Sequence, residues 1–261
     1  VGVGWRPEIA GVVAGLPGVP FVEVIAETLG RNGLPVSLGE LRARGVAVVP
    51  HGVRLSLGGA EPVEPERVAH LAHCAEMTGA PLVSEHIAFV RADGLEAGHL
   101  LPLPRSRDAV EALVANVKRA QADLPVPLAL EPIAALFDWP DDELAEGQFL
   151  TEILERTDAL LLLDIANVYA NAVNRGVDPL SSVEGWPLER LAYAHVAGGA
   201  FSDGVYHDTH TDPVMEAVIE LVAALKPKAL MLERDGNYPA WGELRSELDA
   251  LADACGHPRI T

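Results

Sequence analysis

Short apolar, β-branched runs alternate with longer amphipathic stretches from one end of the chain to the other. The runs predict strands at Val1–Trp5, Phe21–Ala26, Val46–Val53, Pro81–Phe89, Val126–Pro132, Ala159–Ala166, Leu191–Ala197 and Lys228–Arg234. Each is short and rich in branched residues, which suits a pleated backbone better than a helix. Between them the spacing turns helical. Pro65–Gly79 sends Val68, Leu71, Ala72, Ala75 and Met77 inward and ends on Gly79, a residue that takes the left-handed C-cap at little cost. Ser106 caps Arg107–Leu124, whose Val110, Leu113, Val114 and Val117 share a face. Asp212-Pro213 is expected to open Val214–Lys226, and Trp241–Cys255 carries Leu244, Leu248 and Leu251 as one stripe. Gly30–Gly39, Gly94–Pro104 and Asn171–Pro187 are predicted as loops.

Eight near-continuous apolar strands interleaved with helices predict an α/β fold, a parallel (β/α)8 TIM barrel. A doubly wound sheet competes, but Gly2-Val3-Gly4-Trp5 lacks the third glycine of a phosphate-binding turn. The length of 261 residues suits a single domain over the whole chain. With 38 acidic against 19 basic residues the net charge is −19. That balance argues against nucleic acid and anionic membrane, both of which need a basic surface. Two cysteines, Cys74 and Cys255, make no disulfide framework. With no charged-then-apolar leader and no bilayer-length apolar run, a soluble cytoplasmic protein is expected, although Val1 is not a natural start.

The chemistry sits where the strands end, the face of a barrel on which active sites assemble. The third strand ends in His51, the fourth in Glu85-His86 and the fifth in Glu131. The sixth ends in Asp164 with Asn167 just beyond, the seventh in His195 and the eighth in Glu233-Arg234-Asp235. Asp208-Thr209-His210 lies in the loop after the seventh, with one residue between two ligand types. Any one of these alone reads as a satisfied structural residue. Together they deliver nine ligand candidates to one mouth, and an apolar strand that ends in a charge needs a partner for it. The chain has only three lysines to neutralise such a cluster, so a cation is the natural counter-charge. Imidazole and carboxylate without thiolate suit Fe, Mn or Zn. Nine candidates exceed the six positions of one octahedral ion, which points to two or three ions bridged by Glu131 or Glu233. Glu23 and Glu27 could orient ligands from behind or cap loops, and Arg234 and Asp235 could bind substrate or pair with each other. His70, His73 and His257 are expected to be solvated, His99 and His207 to lie in loops, and Cys74 to pack in the core.

These strand ends resemble the multinuclear non-haem iron-dependent oxidases, the DUF692 or UPF0276 family. The resemblance rests on Gly2-Val3-Gly4-Trp5-Arg6, Phe21-Val22-Glu23-Val24, His51-Gly52-Val53-Arg54-Leu55-Ser56-Leu57-Gly58 and Ser84-Glu85-His86. It continues through Leu100-Leu101-Pro102-Leu103-Pro104, Leu163-Asp164-Ile165-Ala166-Asn167-Val168-Tyr169 and His195-Val196-Ala197-Gly198-Gly199 to Asp208-Thr209-His210 and Leu232-Glu233. It implies a TIM barrel of the xylose-isomerase-like type holding two or three irons, ferrous and ferric, with O2 as co-substrate. The implied reaction is oxidation of residues, often cysteine, in a ribosomally made precursor peptide, helped by a partner protein that recognises the leader. By the same resemblance His51, His86, Glu131, Asp164, Asn167, His195, Asp208, His210 and Glu233 are metal ligands, with Glu131, Asp208 and His210 at the reacting centre.

Four departures bear on one metal position and on substrate preference: Glu85 where the family usually has Asp, Pro132 and Ala166 where it has Asn, and Arg234 where a non-basic residue is usual. Three other readings stay open. An endonuclease IV-like tri-zinc nuclease has a similar ligand order, but a further histidine where this chain has Asn167. A single-metal sugar isomerase or epimerase would leave His51, His86 and the Asp208/His210 pair without work. A metal-storage or inactive scaffold is the third.

Overall fold

The computed structural model describes residues 1–260. The strands are β1 (Gly2–Trp5), β2 (Phe21–Ile25), β3 (Ala47–Gly52), β4 (Val83–His86), β5 (Phe89–Ala92), β6 (Leu95–Leu101), β7 (Leu128–Glu131) and β8 (Leu160–Asp164). β9 (Leu191–Val196), β10 (Gly198–Ser202), β11 (Val205–Asp212) and β12 (Leu230–Leu232) follow. The helices are α1 (Ala10–Ala14), α2 (Val36–Ala43), α3 (Pro65–Thr78), α4 (Arg107–Asp123) and α5 (Glu146–Thr157). α6 (Ile165–Arg175), α7 (Pro179–Ser182), α8 (Glu216–Leu225) and α9 (Trp241–Cys255) complete them. Eight strands close a barrel in the order β1-β12-β9-β8-β7-β4-β3-β2, and every pairing within it is parallel. The expected TIM barrel is the fold, and each of its strands falls within a predicted run. Among the described residues no helix is long and apolar enough to cross a membrane.

Side chains on a strand alternate between faces, so residues two apart share one. Val49, Ala129, Leu162 and Tyr193 pack together as a small apolar cluster apart from the main core. Two residues further along the same strands stand His51, Glu131, Asp164 and His195. The barrel interior is therefore an apolar layer topped by a polar one. Register levels that upper layer, since His86 pairs with Glu131 and Asp164 with His195.

Some boundaries differ from expectation. Ser106 caps α4, its Oγ accepting from the Ala109 amide at 3.2 Å, and Gly79 caps α3 at φ 62°. Asp212 does not cap α8, which starts at Glu216; it ends β11, and its Oδ2 accepts from the Thr209 hydroxyl at 2.5 Å. The predicted loop Asn171–Pro187 is helical at both α6 and α7, and the predicted loop Gly30–Gly39 contains the start of α2. Gly94–Pro104 instead carries β6, which pairs antiparallel with β5. Both extra hairpins turn on Asp-Gly pairs with positive φ, Asp93 and Gly94 at 49° and 72° and Asp203 and Gly204 at 52° and 81°. This is the geometry that a tight two-residue hairpin requires.

The β10–β11 ladder pairs Ala200 with His207 and next Gly198 with Asp212, so four residues, 208–211, bulge out of it. Within the bulge His210 takes φ 56°. Bulges re-aim side chains, and this one turns Asp208 and His210 into the mouth. Gly198 makes room for it, because a Cβ there would overlap the Asp212 and Pro213 carbonyls. Gly198→Ala is expected to lower unfolding stability by ~1–3 kcal/mol in urea titration. A wild-type midpoint would show that the close approach is not needed.

Candidate metal centre

Three groups of side chains place ligand atoms within 4.8 Å of one another: His51–His86–Glu131, Glu131–Asp164–His195, and Asp164–His210–Glu233. Glu131 belongs to the first two and Asp164 to the last two, so the groups form a chain across the mouth. Glu131 Oε2 lies 3.4 Å from His51 Nε2 and 3.3 Å from His86 Nε2, while its Oε1 lies 3.3 Å from His195 Nδ1. Glu233 Oε2 stands 3.3 Å from the same His195 Nδ1 and 3.6 Å from His210 Nδ1. Asp208 Oδ2 meets His210 Nε2 at 2.6 Å. Asn167 lines the cavity above these groups, its Nδ2 donating to the Pro132 carbonyl at 3.4 Å.

The imidazoles are held from behind. His195 Nε2 donates to Glu23 Oε2 at 2.7 Å, which leaves Nδ1 as the atom facing the mouth. His51 Nδ1 meets Ser84 Oγ at 2.8 Å, and Ser84 continues to the Tyr193 hydroxyl, which donates to Glu23 at 2.5 Å. Glu23, Tyr193 and Ser84 thus fix two ring orientations through one buried network, the arrangement that raises ligand basicity and sets the tautomer. Of the two roles open to strand two's glutamates, each residue takes one. Glu23 orients His195, and Glu27 caps a loop by accepting from the Val53 amide at 3.1 Å. Glu85 accepts from the Leu55 and His86 amides and steadies the fourth strand end.

The donor set fits a metal. Glu131 Oε2, Asp164 Oδ2, Asp208 Oδ1 and His195 Nδ1 are buried without a hydrogen-bond partner, a costly state for ionisable groups unless something else binds them. Protons partly fill that role. Burial opposes the charge of Glu131, yet His195, His86 and His51 outweigh it and hold its pKa down to about 2. Burial also opposes a charge on His86, but Glu131 and Glu85 bring its pKa up to about 9. For Asp164, burial together with repulsion from Asp208 and Glu131 raises the pKa to about 8. Burial opposes a charge on His195 and His210 too, but Glu23 and Glu131 around the first and Glu233 and Asp208 around the second hold their pKa values well above the ordinary imidazole value. At pH 7 His86, His195, His210 and Asp164 therefore carry protons that ligation must remove. Metal uptake at pH 7 is expected to release more than two protons per chain and to tighten as pH rises toward 9. Titration calorimetry in buffers of different ionisation enthalpy reads that number, and a buffer-independent heat would contradict it.

A cavity of about 380 Å³ opens over the cluster, walled by Ile25, Val53, Leu100 and Leu136 and by Asn167, Asn171, Asn174, Tyr206 and His207. Asp235 stands at its rim, accepting from Arg6 Nε at 2.7 Å. Arg234 does not reach it. Its guanidinium is buried against Glu247 at 2.5 Å and the Thr211 carbonyl at 3.1 Å, because side chains two apart share a face and Glu233 and Asp235 take the inner one. Arg234 thus packs against Glu247 and Thr211, away from the cavity lining, and does not pair with Asp235. His70 is not solvated either, since its Nε2 meets the Ala26 carbonyl at 2.9 Å beside the buried Cys74. His99 and His207 lie on hairpin strands, and His207 faces the cavity.

Sequence reasoning passed over Arg6, Ser84 and Tyr193. Arg6 lies just past the end of β1, where its Nη2 donates to Glu233 Oε1 at 2.8 Å, so the same strand-end rule selects it. Ser84 and Tyr193 each sit two residues before a ligand histidine, on the inward face.

A parallel barrel that gathers three linked imidazole–carboxylate groups at its C-terminal mouth has the make-up of a metalloenzyme. The chain belongs to the family described as RiPP precursor modification enzyme MbnB/TglH/ChrH, whose profile matches residues 1–255. A UPF0276 protein from Streptomyces avermitilis is 54% identical over 261 residues, covering 96% of this chain and 54% of the relative. This chain therefore spans about half the length of that relative. A xylose isomerase domain protein from Planctomyces limnophilus is similar in structure, with TM-score 0.63, 17% identity and coverage of 97% of this chain and 96% of that one. Endonuclease IV from Thermus thermophilus matches with TM-score 0.63, 19% identity and 98% of each chain. At such identities the likeness is one of fold.

Proposed function

We propose that this protein is a multinuclear non-haem iron oxidase that uses O2 to modify residues, cysteine foremost, of a ribosomally made precursor peptide presented with a leader-recognising partner protein. The observation that carries the reading is the sharing of Glu131 and Asp164 among three ligand groups, which suits neighbouring ions better than one. His51, His86, Glu131, Asp164, His195, His210 and Glu233 would hold two or three irons, with Asp208 and Asn167 completing the set. Bound iron would supply the redox chemistry, shuttling between ferrous and ferric as O2 is reduced and the substrate oxidised.

The chain's own residues do the rest. Glu23 and Ser84 keep one nitrogen of His195 and one of His51 engaged behind the site, so the other faces forward. Arg6 neutralises Glu233 from one side and leaves the carboxylate's Oε2 to the mouth. Ile25, Val53, Leu100 and Leu136 make the approach apolar, which limits water around a reactive centre. A cavity of about 380 Å³ takes one residue side chain with its flanking backbone and not a folded domain. His210 Nδ1 faces Asp235 Oδ2 at 3.3 Å, giving a proton a way from the cavity to the rim.

The test is metal content per chain after anaerobic loading with ferrous iron, with Mössbauer spectra before and after exposure to O2. Two or more irons per chain, partly ferric after O2, is the expected result. One manganese or zinc per chain with activity on a ketose in the absence of O2 would overturn it, as would three zincs with cleavage of abasic duplex.

A further inference from the structure

We propose that Asn174 is a positioning residue of the metal centre, locking the β10–β11 hairpin so that Asp208 and His210 meet Asp164; this rests on the ligand reading above. α6 carries Asn167, Asn171 and Asn174 at spacings of four and three, which puts them on one helix face. All three line the cavity, and each reaches for main chain on its rim. Asn171 Nδ2 donates to the Ile133 carbonyl at 3.1 Å, while its Oδ1 accepts from the Ala135 amide at 2.8 Å. Asn174 does the same on the other rim. Its Nδ2 donates to the Tyr206 carbonyl and its Oδ1 accepts from the Tyr206 amide, both at 2.8 Å.

A carboxamide has the donor and acceptor of a peptide group in one plane. Asn174 therefore pairs with Tyr206 much as a strand residue would. The place matters because Tyr206 lies two residues before Asp208, and the ladder to β10 lapses across residues 208–211. The segment that delivers Asp208 and His210 has lost β10 as a neighbour. The Asp235 amide and Arg234 hold its far end, donating to the His210 and Thr211 carbonyls at 2.8 and 3.1 Å, and its start is tied by Asn174 to the helix that Asp164 caps. Asn174 thus sets the distance between ligands that come from two different elements, while Asn171 sets the opposite rim, which carries no ligand after Glu131. The two asparagines are chemically alike and differ only in what they hold. That makes each the control for the other.

The test uses the whole chain, with amide hydrogen exchange read by mass spectrometry and cobalt(II) titration as the metal probe. Losing two hydrogen bonds, each worth about a factor of five, should speed exchange of the 205–212 segment roughly 30-fold in Asn174→Ala. Exchange at 133–135 should stay at the wild-type rate. The same variant should lose about one cobalt equivalent, the ion served by His210. Asn171→Ala should reverse the pattern, with fast exchange at 133–135 and unchanged cobalt binding. Asn174→Asp, of the same shape, keeps the acceptor but sets a carboxylate oxygen against the Tyr206 carbonyl, so it should also speed exchange in the same segment and serves should the alanine variant fail to fold. Unchanged exchange at 205–212 in both Asn174 variants overturns the proposal, as does equal cobalt loss from Asn171→Ala. If the wild-type chain binds no cobalt, the ligand reading fails on its own, and with it this role for Asn174.

Discussion

Glu131→Gln is expected to weaken metal binding at least roughly 100-fold and to leave the chain short of its full complement, since even residues behind the ligands cost 10–100-fold. Glutamine keeps the shape and loses the charge. Both oxygens of Glu131 are in use, Oε2 between His51 and His86 and Oε1 toward His195. An amide must turn its NH2 toward one of these imidazoles, which offers a hydrogen where a lone pair is required. Two of the three ligand groups lose a member, and only Asp164–His210–Glu233 keeps its set. Metal analysis of wild type and variant loaded side by side checks this. Equal content would mean that Glu131 is a structural carboxylate and that the groups do not share it.

Arg6→Ala has the larger expected effect on stability. Arg6 donates to Glu233 at 2.8 Å with both side chains more than nine-tenths buried, and also to the half-exposed Asp235. Removing one partner strands the other's charge away from water, which costs ~3–5 kcal/mol. The sign of the metal dependence follows. In metal-free protein the whole loss should appear in urea unfolding, whereas a cation beside Glu233 supplies compensation and shrinks it. An equal loss with and without metal would show that Glu233 is not a ligand.

Most of the fold was legible because a buried parallel strand leaves a run of apolar residues that nothing else explains, as at Leu160–Leu163. The candidate ligands were legible because such a run ending in Asp164 or His195 breaks its own logic. The hairpins were missed for the opposite reason. β6 is largely exposed and reads Leu-Glu-Ala-Gly-His, without the alternation that marks a half-buried strand. The signal was in the turns, Asp93-Gly94 and Asp203-Gly204, and not in the strands. α6 was cut short because its polar face, Asn167, Asn171 and Asn174, looks like loop composition until the cavity it faces is known. Arg234 was misplaced because adjacency to Glu233 was read as proximity, although neighbouring residues of an extended segment point apart. The register that aligns His86 with Glu131 depends on all eight strands closing together, which no local pattern carries.

β8 ends at Asp164 and α6 begins at Ile165, so no connecting residue separates them. Asp164 gives Oδ1 to the amides of Ala166 and Asn167, at 2.7 and 3.1 Å, and leaves Oδ2 for the mouth. The oxygen that starts the helix and the oxygen offered to a cation belong to one rigid carboxylate. There is no slack at this junction to absorb a shift, so a tilt of α6 turns directly into a displaced ligand. The opposite holds at the tips of the β5–β6 and β10–β11 hairpins, Asp93-Gly94 and Asp203-Gly204, which lie beyond the residues that reach the mouth. In this architecture the base of the cleft is a fixed jaw and the hairpin tips above it are adjustable. Altered reach above the cleft would accordingly be sought at the hairpin tips, with the β8–α6 step left untouched.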